Sequence, residues 1–101
     1  MNLDESQVRE LVSQARAKNT TPDLSGQNLS GLGLFKSDLH GANLAGATLR
    51  EIVLDVANLT GANLKQADLT QAHLFRSNLS GASLVDADLS FADLKQANLQ
   101  D

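Results

Sequence analysis

Residues 61–75 read GANLKQADLTQAHLF, and in this stretch leucine returns at every fifth position, as Leu64, Leu69 and Leu74. An α-helix turns by about 500° over five residues, so successive leucines would step around the helix and share no face. A flat β-strand alternates its side chains with a period of two, so a spacing of five would send alternate leucines to opposite faces. The spacing therefore predicts a chain that bends once in every five residues and returns each leucine to the inside.

The same spacing continues without a break from Leu24 to Leu99. The position two before each leucine is mostly alanine, with small substitutes at Ser37 and Ser77. Residues two apart lie on one side of an extended segment, so we expect both positions to fill the interior. Six of the seven glycines lie two places after a leucine, where a corner can require a positive φ angle. These glycines are Gly26, Gly31, Gly41, Gly46, Gly61 and Gly81.

Residues 22–101 resemble the pentapeptide-repeat family, whose motif is A(D/N)LXX. The motif stands here as GANLAGATL from residue 41, GANLKQADLTQAHL from residue 61 and FADLKQANLQ from residue 91. The resemblance implies an all-β solenoid, a right-handed quadrilateral β-helix in which four pentapeptides make one square coil. The expected coils are 22–41, 42–61, 62–81 and 82–101. We therefore divide the chain into an N-terminal segment, 1–21, and a repeat region of about four coils, 22–101.

The N-terminal segment has the pattern of a helix that covers the first coil. Asp4 can cap a helix, with Gln7 three residues later as its partner, while Leu3 and Val8 are placed to form a hydrophobic staple. An apolar stripe at helical spacing follows, and Asn19 and Pro22 mark its end. The stripe comprises Val8, Leu11, Val12 and Ala15. An N-terminal capping α-helix is favoured over a membrane-binding one, because the stripe is short and the opposite face has balanced charges.

One side of the square is expected to differ from the others. We call it the third face and define it as residues 32–36, 52–56, 72–76 and 92–96. Phe35 and Phe75 occupy its outward position after leucine, and the cations Lys36 and Arg76 follow them. Exposed apolar groups clustered on one side indicate a contact surface for another protein. The alternative is that each phenylalanine only covers the edge of a coil or packs on its neighbour.

The last coil is expected to expose apolar groups as well. Leu84, Leu89, Leu94 and Leu99 would form a coil with no visible cover on its lower side, and Phe91 projects at the same end. Two interpretations stay open. Either this coil meets a partner, most simply a second copy in a two-fold homodimer, or the natural protein continues beyond the sequence. Phe91 and Leu99 are therefore added to the candidate protein contacts.

Composition excludes several other kinds of site. The chain has no cysteine, and the two histidines, His40 and His73, are expected on different faces, so we predict no metal and no cofactor. Asp68 and Asp88 are expected to stack, but on a convex surface such carboxylates are solvated and poorly suited to catalysis. A net charge of −4, without basic runs or long apolar stretches, argues against direct binding to nucleic acid or a membrane. The acidic start, MNLDES, lacks the pattern of a signal peptide, and we expect a cytoplasmic protein.

The functional prediction is a non-enzymatic scaffold that contacts an unknown protein partner, because a narrow filled interior and convex faces leave no cleft for a substrate. The alternative comes from the resemblance, since some family members bind DNA gyrase by imitating DNA. Duplex DNA of about 19 Å, the expected height of four coils, would carry about 11 charges. The repeat region carries nine acids and five bases. This low density of negative charge argues against mimicry.

Overall fold

The computed structural model describes residues 2–100 and shows one helix followed by a regular stack of turns. Helix α1 spans Glu5–Ala17. All β pairing in the remainder of the described chain consists of isolated parallel bridges, with no longer strands. Every bridge joins two residues that are 20 apart, from Asp23–Asn43 to Asn78–Asn98. Four pentapeptides therefore separate one level of the stack from the next, and each level is called a coil below.

Each pentapeptide ends in a tight corner. At a representative corner, the amide of Ala42 donates to the carbonyl oxygen of Leu39 at 3.0 Å, which closes a four-residue turn. The third residue of the turn, Gly41, has φ +66°, as expected for a type II turn. The other five glycines predicted at corners also have positive φ, which confirms that prediction. The sequence did not predict that nine non-glycine residues would adopt the same conformation. These are Lys36, Glu51, Val56, Gln66, Gln71, Arg76, Asp86, Phe91 and Gln96.

Successive coils are joined by a ladder of backbone hydrogen bonds. The amide of Leu44 donates to the carbonyl oxygen of Asn63 at 2.7 Å, and the amide of Asn63 donates back to Ala42 at 2.9 Å. The same pairing recurs along the sides of the stack. It satisfies backbone groups that would otherwise be costly to bury.

Leucine and the small residue two places before it fill the interior, as predicted. The leucines from Leu24 to Leu79 at every fifth position are at most 2% exposed. Ser77 is also buried, and its hydroxyl donates to the carbonyl oxygen of Leu74 at 2.9 Å. Ile52, which replaces an alanine, is buried, whereas Leu32 is only partly buried. Close packing of these side chains leaves no room for a substrate inside the described coils.

Helix α1 begins at the predicted cap. Asp4 accepts from the amide of Gln7 at 2.8 Å, while the Gln7 side chain accepts from the amide of Asp4 at 2.9 Å. Val8 is buried in the core, and Leu3, Leu11 and Val12 pack against it. Asn19, with φ +56°, turns the chain after the helix. The apolar stripe of the helix therefore lies on the first coil.

Polar side chains of α1 form hydrogen bonds with backbone groups of the first coil. In the rest of the stack, the backbone of the preceding coil forms the corresponding bonds. Glu5 Oε2 accepts from the amide of Gly33 at 3.0 Å, and Arg9 Nη2 donates to the carbonyl oxygen of Gly33 at 3.3 Å. Arg16 Nη2 donates to the carbonyl oxygen of His40 at 2.9 Å. In lower coils, backbone groups of the neighbouring coil occupy these positions. An open edge of backbone groups is thereby covered, as repeat stacks require at their ends.

Candidate interaction surface

The third face brings its predicted residues into register. Gly33 pairs with Val53, Val53 with His73, and His73 with Asp93, so these four residues stack. Because coils repeat every 20 residues, Phe35 and Phe75 lie in the same column, two coils apart. With about 4.8 Å between neighbouring strands, this separation is about 10 Å.

Each phenylalanine is accompanied by the cation that follows it in sequence. Lys36 Nζ lies 5.3 Å from the centre of the Phe35 ring, and Arg76 Cζ lies 5.3 Å from the centre of the Phe75 ring. Both distances are typical of cation–π contacts. Phe35 remains 53% exposed, and Phe75 is partly buried. The two rings therefore present aromatic surface and positive charge together.

The acidic side chains of this face are turned towards the backbone. Asp55 Oδ1 accepts from the amide of Phe75 at 3.1 Å, and Asp93 Oδ1 accepts from the amide of Lys95 at 3.1 Å. Among residues 2–100, the ion pairs are Arg16–Asp38 and Arg50–Asp68, and His40 is hydrogen-bonded to Asp38. No carboxylate in this range pairs with Lys36, Arg76 or Lys95, so the cations of the third face are not neutralised by close contact.

The other three faces carry the opposite balance of charge. Counting lysine, arginine, aspartate and glutamate, the third face has three cations and two carboxylates. The first face has one cation, Lys65, and two carboxylates, Asp23 and Asp86. The second face has one cation, Arg50, and three carboxylates, Glu51, Asp68 and Asp88. The described residues of the fourth face include one carboxylate, Asp38, and no lysine or arginine. The third face is the positive side of an acidic protein.

Phe91 and Leu99 do not join this surface. Phe91 is 88% exposed at a corner of the second face, and Leu99 is 52% exposed on the fourth face. Both lie on the last coil, whose Leu84, Leu89 and Leu94 are only partly buried. These residues form a separate apolar region at the end of the stack. The expected column of corner residues Gly41, Gly61 and Gly81 continues in sequence to Asp101, which lies outside the described residues.

Sequence reasoning missed a small groove between α1 and the first coil. A cavity of about 240 Å³ lies there, with Val8 and Val12 on the helix side and Leu34 and Ser37 on the coil side. The coil side of the groove is formed by Leu34 of the third face and by Ser37, Asp38 and Leu39 of the fourth face, so the groove lies at the corner between these two faces. The groove results from the orientation in which α1 packs on the first coil. We find no sequence pattern that predicts this orientation.

A second, polar depression of about 370 Å³ lies where α1 returns to the repeats. It is lined by Arg16, Asn19, Thr20, Thr21, Pro22, His40 and Gly41. Arg16 donates hydrogen bonds to backbone carbonyl oxygens of the first coil. His40 is hydrogen-bonded to Asp38, with 2.7 Å between His40 Nδ1 and Asp38 Oδ1. This depression is therefore assigned to the junction of the helix with the first coil.

Several carboxylates have lowered pKa values because they accept hydrogen bonds. The hydroxyl and amide of Ser25, Thr70 and Ser90 lower the pKa of the aspartate two residues earlier. Those aspartates are Asp23, Asp68 and Asp88. A hydrogen bond from His40 lowers the pKa of Asp38, and the Gly33 amide lowers the pKa of Glu5. The four aspartates stabilise turns and Glu5 fixes α1 on the first coil, and a lowered pKa suits these roles better than general acid catalysis.

Two further findings limit the chemistry of the described residues. Within residues 2–100, no three histidine, aspartate or glutamate side chains are grouped so that they could hold a metal ion. In the same range, no helix combines the length and the apolar character needed to span a membrane.

Comparison with solved structures places this architecture among known proteins. The chain is similar to alr5209, a pentapeptide repeat protein from Nostoc Pcc 7120, with 36% identity and a TM-score of 0.81 over 89% of this chain and 73% of the other. It is also similar to a pentapeptide repeat protein from the Arabidopsis thaliana thylakoid lumen, with 32% identity and a TM-score of 0.52. That match covers 74% of this chain and 52% of the other.

A weaker match is QnrB1, a plasmid-mediated fluoroquinolone resistance protein, with 18% identity and a TM-score of 0.35. It covers 72% of this chain and 48% of the other, and it carries no argument about function. No curated protein matches the chain significantly. The sequence profile described as pentapeptide repeats matches residues 37–76 and 67–101 in eight copies. This match, together with the similarity to alr5209, shows that the chain belongs to the pentapeptide repeat family, whose members form right-handed β-helices.

Proposed function

We propose that this chain is a non-enzymatic scaffold that binds another protein through its third face. In this proposal the repeats form a right-handed quadrilateral β-helix of about four coils, and α1 caps the first of them. Phe35 and Phe75, each with its neighbouring cation, supply the contact. The observation that carries the proposal is the pairing of two aromatic rings, Phe35 exposed and Phe75 partly buried, with cations that have no carboxylate partner among residues 2–100.

The physical argument for binding is that aromatic and arginine side chains dominate the energetics of protein interfaces. Phe75 and Arg76 combine both kinds of group at one corner, and the hydrogen bond from Arg76 Nε to Gln96 Oε1 at 2.6 Å orients the guanidinium. Phe35 and Lys36 repeat the arrangement two coils away. A partner that covers both corners would bury apolar area and meet two fixed positive charges.

The argument against catalysis is geometric. Leucine and alanine fill the interior, while the outward aspartates accept hydrogen bonds from nearby turns. An enzyme needs a concave site where groups converge on a substrate. The two cavities described above lie instead beside α1, and within residues 2–100 no hydroxyl group that lines either of them donates a hydrogen bond to His40 or Asp38.

Gyrase binding through DNA mimicry is the second hypothesis. The distribution of charge on the surface favours the scaffold over it. A mimic requires a dense, continuous negative surface. Here the third face carries Lys36, Arg76 and Lys95, which would interrupt that surface. A supercoiling assay tests this alternative. Inhibition or protection of gyrase by the chain would favour it over the scaffold.

The last coil supports a separate proposal, a homodimer formed through that end. Leu84, Leu89 and Leu94 are less buried than the leucines of earlier coils, and Phe91 and Leu99 are largely exposed. A second copy would cover them. We expect light scattering to give the mass of a dimer for the chain and of a monomer for Leu99→Lys. Monomers in both cases would rule out the dimer.

The main proposal is tested by affinity capture from a lysate of the organism that supplies the gene. The proposed compartment of the protein is the cytoplasm. The unchanged chain is compared with Phe35→Ala/Phe75→Ala and with Val85→Ala. Val85 is a matched control because it follows a leucine, as the two phenylalanines do, and is 56% exposed on the first face. We expect the double variant to lose the partner and Val85→Ala to keep it. Equal capture by all three proteins would contradict the proposal.

A further inference from the structure

We infer that the third face binds an acidic peptide segment that carries at least one bulky apolar side chain. This inference rests on the proposed function and adds the chemistry of the partner. It is carried by the charges of the face, by the cavity beside Phe35 and by the spacing of the two aromatic corners.

The face carries three cations and two carboxylates, so its net charge is positive, and each carboxylate already accepts one backbone hydrogen bond. Asp55 and Asp93 each accept a backbone amide hydrogen bond, at 3.1 Å in both cases. Lys36 and Arg76 lie over aromatic rings and are both exposed, and one donor of Arg76, Nε, is already bonded to Gln96 Oε1. A carboxylate that approaches from outside would complete a charge-assisted hydrogen bond at each site.

A long polyanion would meet repulsion that a short acidic segment avoids. The chain has a net charge of −4, and the neighbouring faces carry more acids than bases. A nucleic acid strand extends beyond one face and would bring its phosphates near those acids. Charge complementarity confined to one face therefore fits a peptide of limited length.

The groove beside the first corner supplies a seat for an apolar group. Its volume of about 240 Å³ is below the range of sites for drug-sized ligands and suits a single side chain. Val12 is the apolar lining residue that remains partly exposed, above the buried Val8 and Leu34, and Arg9 adds a cation to the lining. Asp38 also lines the groove, but its carboxylate is hydrogen-bonded to His40 and lies 3.9 Å from Arg16.

The spacing of the corners can be spanned by an extended peptide. Phe35 and Phe75 are separated by two coils, about 10 Å, and residues two and four positions apart on one side of an extended chain are about 7 and about 13 Å apart. A segment with two acidic residues at either of these spacings would reach the flexible side chains of both cations. An apolar residue near the end beside α1 would then enter the groove.

The test selects peptides of about twelve residues from a random displayed library on the full chain, with Phe35→Ala/Phe75→Ala as a parallel target. We expect the selected peptides to be rich in aspartate and glutamate and to contain leucine or an aromatic residue. A selected peptide should lose at least about tenfold in affinity on Lys36→Glu/Arg76→Glu. Lys65→Glu, which reverses a single charge on the first face, should leave affinity within about twofold. Ser13→Phe, which places a ring at the groove, should also weaken binding.

The remaining outcomes distinguish failure of the acidic-peptide inference from failure of the proposed contact face. Neutral or basic peptides that bind the unchanged chain but not Phe35→Ala/Phe75→Ala would overturn the acidic partner and leave the contact face standing. Acidic peptides that bind both targets equally would overturn the contact face itself. Failure to select acidic peptides, or tighter binding of an oligothymidine of about twelve nucleotides than of any peptide, would also overturn this inference.

Discussion

The residue two places after each leucine controls how the chain turns. Glycine occupies six of these corners because it has no Cβ and adopts positive φ without steric cost. Val56 has φ +61°, a conformation that is unfavourable for a β-branched residue. The sequence indicated the corners through the glycines, but it could not show that other residue types are forced into the same conformation by pairing between coils.

Replacing a corner glycine tests this conformational requirement. We expect Gly61→Ala to lower the free energy of unfolding by about 1 kcal/mol, because alanine is strained at φ +68°. No atom lies within 4 Å of the added Cβ, so steric contact contributes nothing. Gly33→Ala is the control, since Gly33 is not at positive φ and its added Cβ would lie 3.8 Å from a flexible glutamate oxygen. Chemical denaturation measures both, and equal losses would contradict the account.

The aspartates at the turns predict a loss of stability in acid. Hydrogen bonds hold the pKa of Asp23, Asp68 and Asp88 below 3.8, the value expected in the unfolded chain. Their stabilisation is therefore present above that value and disappears as the pH falls through the lower folded values. Thermal unfolding followed from about pH 7 to about pH 2 should show this fall.

The matched variant is Asp68→Asn. Asn58 already makes the corresponding bonds to the amide and hydroxyl of Thr60, at 3.0 and 2.6 Å, so asparagine preserves the turn without titrating. We expect a smaller loss between neutral and acidic pH in this variant. An unchanged pH profile in Asp23→Asn/Asp68→Asn/Asp88→Asn would show that these carboxylates do not cause the acid sensitivity.

Helix α1 illustrates which parts of an element are visible in sequence. The Asp4–Gln7 capping box and the apolar stripe predicted the helix, because both depend on residues three or four apart. The bonds from Glu5 and Arg9 to Gly33 could not be predicted in this way. They depend on how the helix docks on a coil that lies more than twenty residues further along the chain. The groove beside Phe35 has the same origin.

Docking of this helix is tested by Val8→Ala. Val8 is 1% exposed, and removal of its methyl groups should lower the free energy of unfolding by about 2 kcal/mol. Val85→Ala makes the same chemical change at a side chain that is 56% exposed, and its effect should stay within about 0.5 kcal/mol. Urea denaturation compares the two variants. Similar losses would mean that α1 is not packed as described.

At the scale of the whole molecule, the five-residue period identified the inside and outside of the chain but not the number of corners in a coil. That number came from the family resemblance, and the bridges between residues 20 apart now give it directly. The third face depends on this number. Phe35 and Phe75 are 40 residues apart, so they lie in one column because each coil contains 20 residues. The sequence supplied the candidate residues. Their cation–ring geometry and the hydrogen bond from the Phe75 amide to Asp55 required the structure.

The register of the third face is tested most directly by a disulfide between Val53→Cys and His73→Cys. The chain has no cysteine of its own, and these two positions are paired across neighbouring coils, at a separation of about 5 Å that a disulfide can bridge. Mass spectrometry under mild oxidation should show a complete intramolecular bond in this variant and free thiols in Val53→Cys/Asn78→Cys, whose positions are 25 residues apart on adjacent faces. A bond in the second variant and none in the first would contradict the 20-residue coil and the contact surface built on it.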